Sequence, residues 1–183
     1  MEQQYDLIND SPVIRTYMRK WVNVFEPTPD MFDIRDIAHS LSVQPRFSGH
    51  TRKHYSVASH SIWCYEEARR IGESYIVQLT ALMHDSSEAY LVDIPRPIKK
   101  QFSQYKVIEN ELMTTLSSVF GFQWPMSETI SYIDNLALQK EWDFLMIEKP
   151  GAEELYLYDA KDAEELFLSD KWINSDYNTQ VRE

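Results

Sequence analysis

The stretch LMHDSSEAYLVDIPRPIKK, residues 82–100, places three ionisable side chains in what its composition predicts to be a buried helix. On a helix, His84 and Glu88 lie one turn apart on one face, and Asp85 lies three residues before Glu88. Burying an ionised carboxylate without a partner is costly, so a cation or a salt bridge is expected beside this face. The alternative is a His84 that hydrogen-bonds within the core and an Asp85 that faces solvent.

Two other predicted helices carry further donor groups. Asp134 lies on an apolar stripe next to Ile133, and His60 lies among small and apolar residues in VASHSIW. Helical bundles build metal sites from side chains on facing helices. The two histidines and two aspartates would hold a divalent cation, and this nitrogen and oxygen set suits Co, Mn, Zn, Ni or Mg with positions left open for catalysis. The four predicted ligands are His60, His84, Asp85 and Asp134.

Hydrophobic periodicity predicts an all-α fold with a short N-terminal β-hairpin. The hairpin turns near residues 18–20, where apolar and polar residues alternate on either side. A short helix follows Asp33, a good N-cap. Longer helices are predicted at 56–71, 74–91, 102–120, 127–145 and 159–172, with Gly72 and Gly121 as stops.

Length and composition predict one folded domain over residues 1–183 that is not a membrane protein. The chain is 43% hydrophobic, yet it contains no apolar run of the roughly 20 residues that a membrane helix needs. Its first ten residues are acidic and polar, unlike a signal peptide, and its single cysteine, Cys64, cannot form an internal disulfide. A cytoplasmic location is therefore expected.

The charge distribution limits the classes of partner. A formal net charge of −11 argues against binding to long nucleic acids, which depends on many Lys and Arg contacts to phosphate. Residues 44–61 and 95–106 nevertheless contain several basic residues and no carboxylate. They could form a local site for a small anion or be solvated basic faces. The four glycines form neither a dinucleotide-binding motif nor a P-loop.

The order of these residues resembles the HD superfamily of metal-dependent phosphohydrolases. His60, then His84-Asp85, then Asp134 matches the order of metal ligands in that family. The run MHDSSEAYLVDIPRPIKK is similar to the corresponding segment of bacterial HD-type 5'-deoxynucleotidases and of phage dATP triphosphohydrolases, and Arg46-Phe47 stands upstream as in those enzymes. The resemblance is strong over residues 46–140, and it implies an HD-domain helical bundle.

The resemblance also implies roles for individual residues. Glu88 would orient or deprotonate the attacking water. Asp93 would contact the deoxyribose, although an Asp before IPRP could simply end a helix. Arg46 and Lys99 would bind phosphate, and Phe47 would stack on the base or cover it.

The implied activity is metal-dependent hydrolysis of phosphate from a deoxyribonucleotide substrate. The first candidate is a phage-type enzyme acting on a deoxynucleoside triphosphate, with dATP as the substrate. A 5'-deoxynucleotidase acting on monophosphates is the alternative, and a non-catalytic nucleotide-binding sensor is an alternative of another class. Related enzymes form dimers or hexamers, so a homo-oligomer is expected from the resemblance.

Overall fold

Helices form most of the described structure, and a short hairpin precedes them, as the sequence predicts. The structure is a computed structural model in which residues 12–169 are described. Strand β1 (Val13–Arg15) pairs antiparallel with β2 (Trp21–Asn23), and Ile14 lies opposite Val22. The prediction of an all-α fold with an N-terminal β-hairpin is therefore confirmed.

Side-chain N-caps mark the beginnings of four of the described helices. Side-chain oxygens of Asp33, Ser56, Ser127 and Asp159 each accept a backbone N–H at a helix start. Gly121, with φ of 72°, ends the long helix before it in a left-handed conformation. The helices are α1 (Ile34–Val43), α2 (Val57–Arg70), α3 (Tyr75–Met83), α4 (Glu88–Leu91), α5 (Arg96–Lys99), α6 (Ser103–Phe120), α7 (Glu128–Glu141) and α8 (Ala160–Phe167).

The prediction of one continuous helix over residues 74–91 is wrong. Helix α3 ends at Met83 and α4 begins at Glu88, with a tight turn between them. In that turn Ser86 N–H donates to the Met83 carbonyl and Glu88 N–H donates to the Asp85 carbonyl, both over three residues. The His84 side chain also binds the Ala81 carbonyl, at 2.7 Å. A three-residue repeat aligns side chains three apart, which places Asp85 and Glu88 on one face of this turn.

Helix α2 lies at the centre of the described structure, where it contacts α1, α3, α7 and α8. Most of its side chains are buried, including His60 and Cys64. One apolar cluster lies where α2, α3 and α7 meet and contains Cys64, Ala81 and Ile133. This packing brings the polar residues of α2, α7 and the α3–α4 turn to one place.

The remaining boundaries agree with the sequence pattern to within a few residues. After α7 the chain continues as a π-helical turn, Trp142–Met146, which extends the predicted helix to its expected end. The last predicted helix is present as α8, and its predicted residues 170–172 lie outside the described range. Within residues 12–169, no helix is both long and apolar enough to cross a membrane.

Candidate metal centre

The four predicted metal ligands converge on one point. His60 Nε2 and His84 Nε2 are 3.2 Å apart. Asp85 Oδ2 lies 3.5 Å from His60 Nε2 and 3.3 Å from His84 Nε2. Asp134 Oδ1 lies 3.5 Å and 3.9 Å from the same two nitrogens. Donor atoms about 2.1 Å from one ion are separated by about 3.0–3.4 Å in octahedral or tetrahedral geometry, so these spacings fit a shared cation.

The hydrogen bonds of the two histidines direct their Nε2 atoms toward that point. His84 Nδ1–H donates to the Ala81 carbonyl at 2.7 Å, which leaves a lone pair on Nε2 of the neutral ring. His60 Nδ1 is 2.6 Å from Glu141 Oε1 and donates to this carboxylate. A hydrogen bond of this kind is typical of metal-binding histidines, because it fixes the ring and its tautomer.

The electrostatics of the centre favour positive charge. Burial and Arg46 oppose protonation of His60, whereas Cys64, Glu141 and Asp134 favour it, and the net effect raises the pKa of His60 well above its usual value. Burial alone would raise the pKa of Asp134, but His60 and His84 hold it well below its usual range. Two lone pairs and two carboxylates facing one point require a cation or a shared proton there.

Cys64 is a donor at this centre that the sequence analysis did not include. The donor atoms of His60, Cys64 and His84 all lie within 4.8 Å of one another, and these three buried residues could hold a metal ion. Cys64 Sγ is 3.7 Å from His60 Nε2. His60 and Cys64 are four residues apart on one helix, which places both side chains on the same face. This spacing is the sequence signal that could have indicated Cys64.

Glu141 was also missed, and it links two of the predicted site residues. Its carboxylate accepts Arg46 Nη2–H at 3.0 Å and Arg46 Nε–H at 3.3 Å, in addition to the His60 hydrogen bond. Burial opposes ionisation, but His60 and Arg46 lower the pKa of Glu141 to about 2. Glu141 follows Asp134 by two helical turns, so both side chains point toward α2. This spacing of seven residues is the sequence signal that could have indicated Glu141.

Arg46 is almost fully buried, and most of its hydrogen-bonding capacity is used within the protein. Besides Glu141, its Nη1 lies 3.5 Å from Asp93 Oδ2 and 3.9 Å from Asp85 Oδ2. These carboxylates outweigh the effect of burial and raise the pKa of Arg46 further. Binding of phosphate by Arg46 therefore stays a prediction.

Glu88 lies beside the predicted metal ligands and is 4% exposed. Burial, followed by the charges of Asp85 and Asp93, raises the pKa of Glu88 well above its usual value. Its Oε2 has no hydrogen-bond partner among the described residues. Lys99 Nζ is 3.7 Å from Glu88 Oε1. A carboxyl group with a raised pKa in a cavity is suited to proton transfer near neutral pH.

The loop that carries Asp93 is held by Gln44. The Gln44 side chain donates to the Glu88 carbonyl at 3.0 Å and accepts the Asp93 backbone N–H. Val92, just before Asp93, has φ of 63°, a conformation that is unfavourable for a β-branched residue. Burial raises the pKa of Asp93 even though Arg46 lowers it. The chain therefore reverses sharply to turn Asp93 toward the centre.

A cavity of about 790 Å³ opens beside the centre. His84, Asp85 and Asp134 lie in its wall, together with all of the predicted catalytic and substrate-binding residues: Glu88, Asp93, Arg46, Phe47 and Lys99. Lys99 Nζ also pairs with Glu109 Oε1 at 2.5 Å. Burial alone would lower the pKa of Lys99, but Glu109 and Glu88 outweigh burial and raise this pKa. Arg96, a further basic residue of the wall, pairs with Asp134.

Comparison with known proteins identifies relatives of this chain. It is 34% identical over 128 residues to the uncharacterized protein YfdR of Escherichia coli K12, a match that spans 70% of this chain and 69% of YfdR. The chain belongs to the YfdR family. An uncharacterized protein of Rhodobacter capsulatus is 31% identical over 131 residues, or 66% of each chain. No family model matches the sequence.

Proposed function

We propose that this YfdR-family chain hydrolyses phosphate from deoxyribonucleotides with the help of a divalent cation. The observation that carries the proposal is the convergence of His60, His84, Asp85 and Asp134 on one point in the wall of a large cavity, with five pairwise donor distances of 3.2–3.9 Å. A coordination sphere that stays open to a cavity is typical of catalytic sites, whereas structural sites are closed.

These four residues would hold the cation, which is Co, Mn, Zn, Ni or Mg by the chemistry of the donors. When bound, such a cation neutralises phosphate charge and lowers the pKa of a coordinated water toward about 7. Cys64 lies on the side of the apolar cluster rather than in the cavity wall, so the oxygen donors are the better candidates to complete the set with the two histidines.

The protein's own residues supply the remaining steps. Glu88 accepts a proton from the attacking water as its oxygen adds to phosphorus and the bond to the leaving oxygen breaks. Glu88 then returns the proton to the leaving oxygen, a role that its raised pKa supports. Lys99, 24% exposed at its side chain, binds a phosphate oxygen as a point charge, and Asp93 contacts the sugar.

The resemblance favours dATP as the substrate, and a second candidate is a deoxynucleoside monophosphate. A specific observation supports the second: the basic side chains of the cavity wall are already paired within the protein. Arg46 is paired with Glu141, Lys99 with Glu109, and Arg96 with Asp134. Fewer unpaired cations suit a substrate with fewer phosphates.

Phosphate release from a panel of deoxynucleoside mono- and triphosphates, with and without Mn or Co, tests the proposal. We expect metal-dependent turnover, and the identity of the released anion separates the two substrates: phosphate from a monophosphate, triphosphate from one-step cleavage of dATP. Nucleotide binding without any turnover would instead identify a sensor. The homo-oligomeric state, the cytoplasmic location and the absence of long nucleic-acid partners stay predictions.

A further inference from the structure

Trp142 is unusually exposed for a tryptophan that lines a cavity. It begins the π-helical turn after α7, and 48% of its surface is accessible. Large aromatic residues normally bury most of their surface, so an exposed indole in a concave wall suggests a surface that a ligand covers. The mechanism above gives this residue no role.

The position of Trp142 along α7 relates it directly to the candidate metal centre. Asp134, Leu138 and Trp142 are spaced by four residues, and all three line the cavity. They therefore form one ridge about 12 Å long on α7. A helical side chain leans toward the N-terminus of its helix, so the indole extends over the turn of Leu138. Trp142 and Asp134 therefore lie in the same cavity wall, at the two ends of this ridge.

Phe47 also lines the cavity and lies next to Trp142. The rings of Phe47 and Trp142 have centroids 6.2 Å apart and planes tilted by 58°, so they do not stack face to face. The backbone of Phe47 and of Ser48 is left-handed, with φ of 53° and 52°. Two adjacent non-glycine residues in this conformation are strained, and such strain is concentrated at functional sites.

Trp124 and Trp63 each contact a polar side chain of the protein. Trp124 also borders the cavity, but its Nε1–H donates to Asn110 Oδ1 at 3.1 Å and it packs against the main core. Trp63 lies under Lys140 Nζ, 5.6 Å from its ring centroid. Trp142 is therefore the tryptophan in the cavity wall, among the described residues, with its indole most exposed.

We propose that Trp142 is the stacking platform for the nucleobase of the substrate. This inference rests on the proposed function. It assigns recognition of the base to Trp142, whereas other residues bind the phosphate. Stacking of a base on an aromatic ring contributes about 1–3 kcal/mol and requires no particular base edge. Trp142 would thus set affinity for nucleotides over other phosphate esters.

The test compares two ligands that differ only in the base: deoxyadenosine monophosphate and 2-deoxyribose 5-phosphate. Binding is measured with Mn present, in a Glu88→Gln background that prevents turnover. We expect the nucleotide to bind about 5- to 150-fold more tightly than the sugar phosphate. Trp142→Ala should abolish most of this preference for the nucleotide while leaving the affinity for the sugar phosphate unchanged.

Two further variants separate stacking from general packing. Trp142→Phe should retain part of the preference for the nucleotide over the sugar phosphate. Trp142→Leu, which is apolar but has no ring, should retain less of it. Trp63→Phe is the matched control and should keep all of it. The nucleotide should also quench tryptophan fluorescence, and most of this quenching should be lost in Trp142→Phe.

The outcomes separate the stacking role of Trp142 from the proposed function. An unchanged ratio in Trp142→Ala, or equal affinity for both ligands with Trp142 intact, overturns the platform and leaves the proposed function standing. Failure of both ligands to bind in the presence of Mn overturns the proposed function, and the platform falls with it.

Discussion

His60 donates its Nδ1–H to Glu141 Oε1 at 2.6 Å, and both side chains are almost completely buried. The same carboxylate receives two hydrogen bonds from Arg46. Glu141 therefore orients His60 without lying on the cavity side of the centre. This pair joins α2 to the end of α7, so the position of a predicted ligand depends on the packing of two helices.

Glu141→Gln should weaken metal binding without preventing folding. The amide keeps the size of the side chain and an acceptor oxygen, but it removes the negative charge that makes His60 a stronger donor. Loss of such a partner lowers metal affinity by about 10- to 100-fold. Calorimetric titration with Mn measures the effect, and Glu128→Gln, on the exposed first turn of the same helix, is the control. Equal affinity in the two variants would show that Glu141 has only a structural role.

Asp85→Ala should abolish both Mn binding and phosphate release. Asp85 lies 3.3 Å from His84 Nε2 and is only partly buried, so its removal deletes one donor and leaves the core intact. Circular dichroism should show nearly unchanged helix content. Asp143→Ala, which removes a surface partner of Lys149, should retain full activity. Turnover by Asp85→Ala at the normal rate would eliminate the proposed centre.

Glu88→Gln should retain the metal but lower kcat by about 10²–10⁴-fold, the usual contribution of a group that transfers a proton. The amide has nearly the same shape as the carboxyl group and cannot accept the proton. Mn binding by titration and steady-state phosphate release measure the two properties separately. If the variant loses the cation as well, Glu88 is a ligand rather than a base.

Glu88→Gln should also stabilise the metal-free protein at neutral pH. Because burial raises the pKa of Glu88 in the folded state, its contribution to stability is fully present below the unfolded pKa and is lost as pH rises through the folded pKa. The amide resembles the protonated form at every pH. We expect the free energy of unfolding at pH 7 to rise, because each unit by which burial raises the pKa of Glu88, up to that pH, corresponds to about 1.4 kcal/mol.

Urea denaturation in the presence of a chelator measures this gain. It should shrink as the pH falls and vanish below the usual glutamate pKa, about 4.3. Glu111→Gln, at an exposed position of α6, is the control and should change stability little at any pH. A variant less stable than the unmodified protein at pH 7 would contradict the burial argument.

Cys64→Ser should leave the absorption spectrum of the Co-loaded protein unchanged. The proposed donors are nitrogen and oxygen, so neither protein should show an intense sulfur-to-cobalt charge-transfer band. The geometry also allows the other set, because Cys64 Sγ lies near both histidine nitrogens. A strong band that disappears in Cys64→Ser would identify His60, Cys64 and His84 as the ligands and would replace the proposed oxygen donors.

Local sequence signals determined the helices because those signals act over a few residues. Helices begin beside Asp33, Ser56, Ser127 and Asp159, and one ends at Gly121, where the sequence predicts these boundaries. The spacing of apolar residues likewise determined which faces are buried. Candidate ligands were recognisable because ionisable side chains on such faces need partners.

Only the tertiary structure decided how these side chains meet. The break after Met83 depends on a side-chain hydrogen bond from His84 and on the surrounding packing, which periodicity cannot express. The contacts of Glu141 with His60 and Arg46, residues 81 and 95 positions away, exist only because α7 packs on α2. The sequence specifies the spacing of side chains along one helix, and it therefore identified the candidate ligands. The distances between donors on different helices are set by packing, so only the tertiary structure could show them.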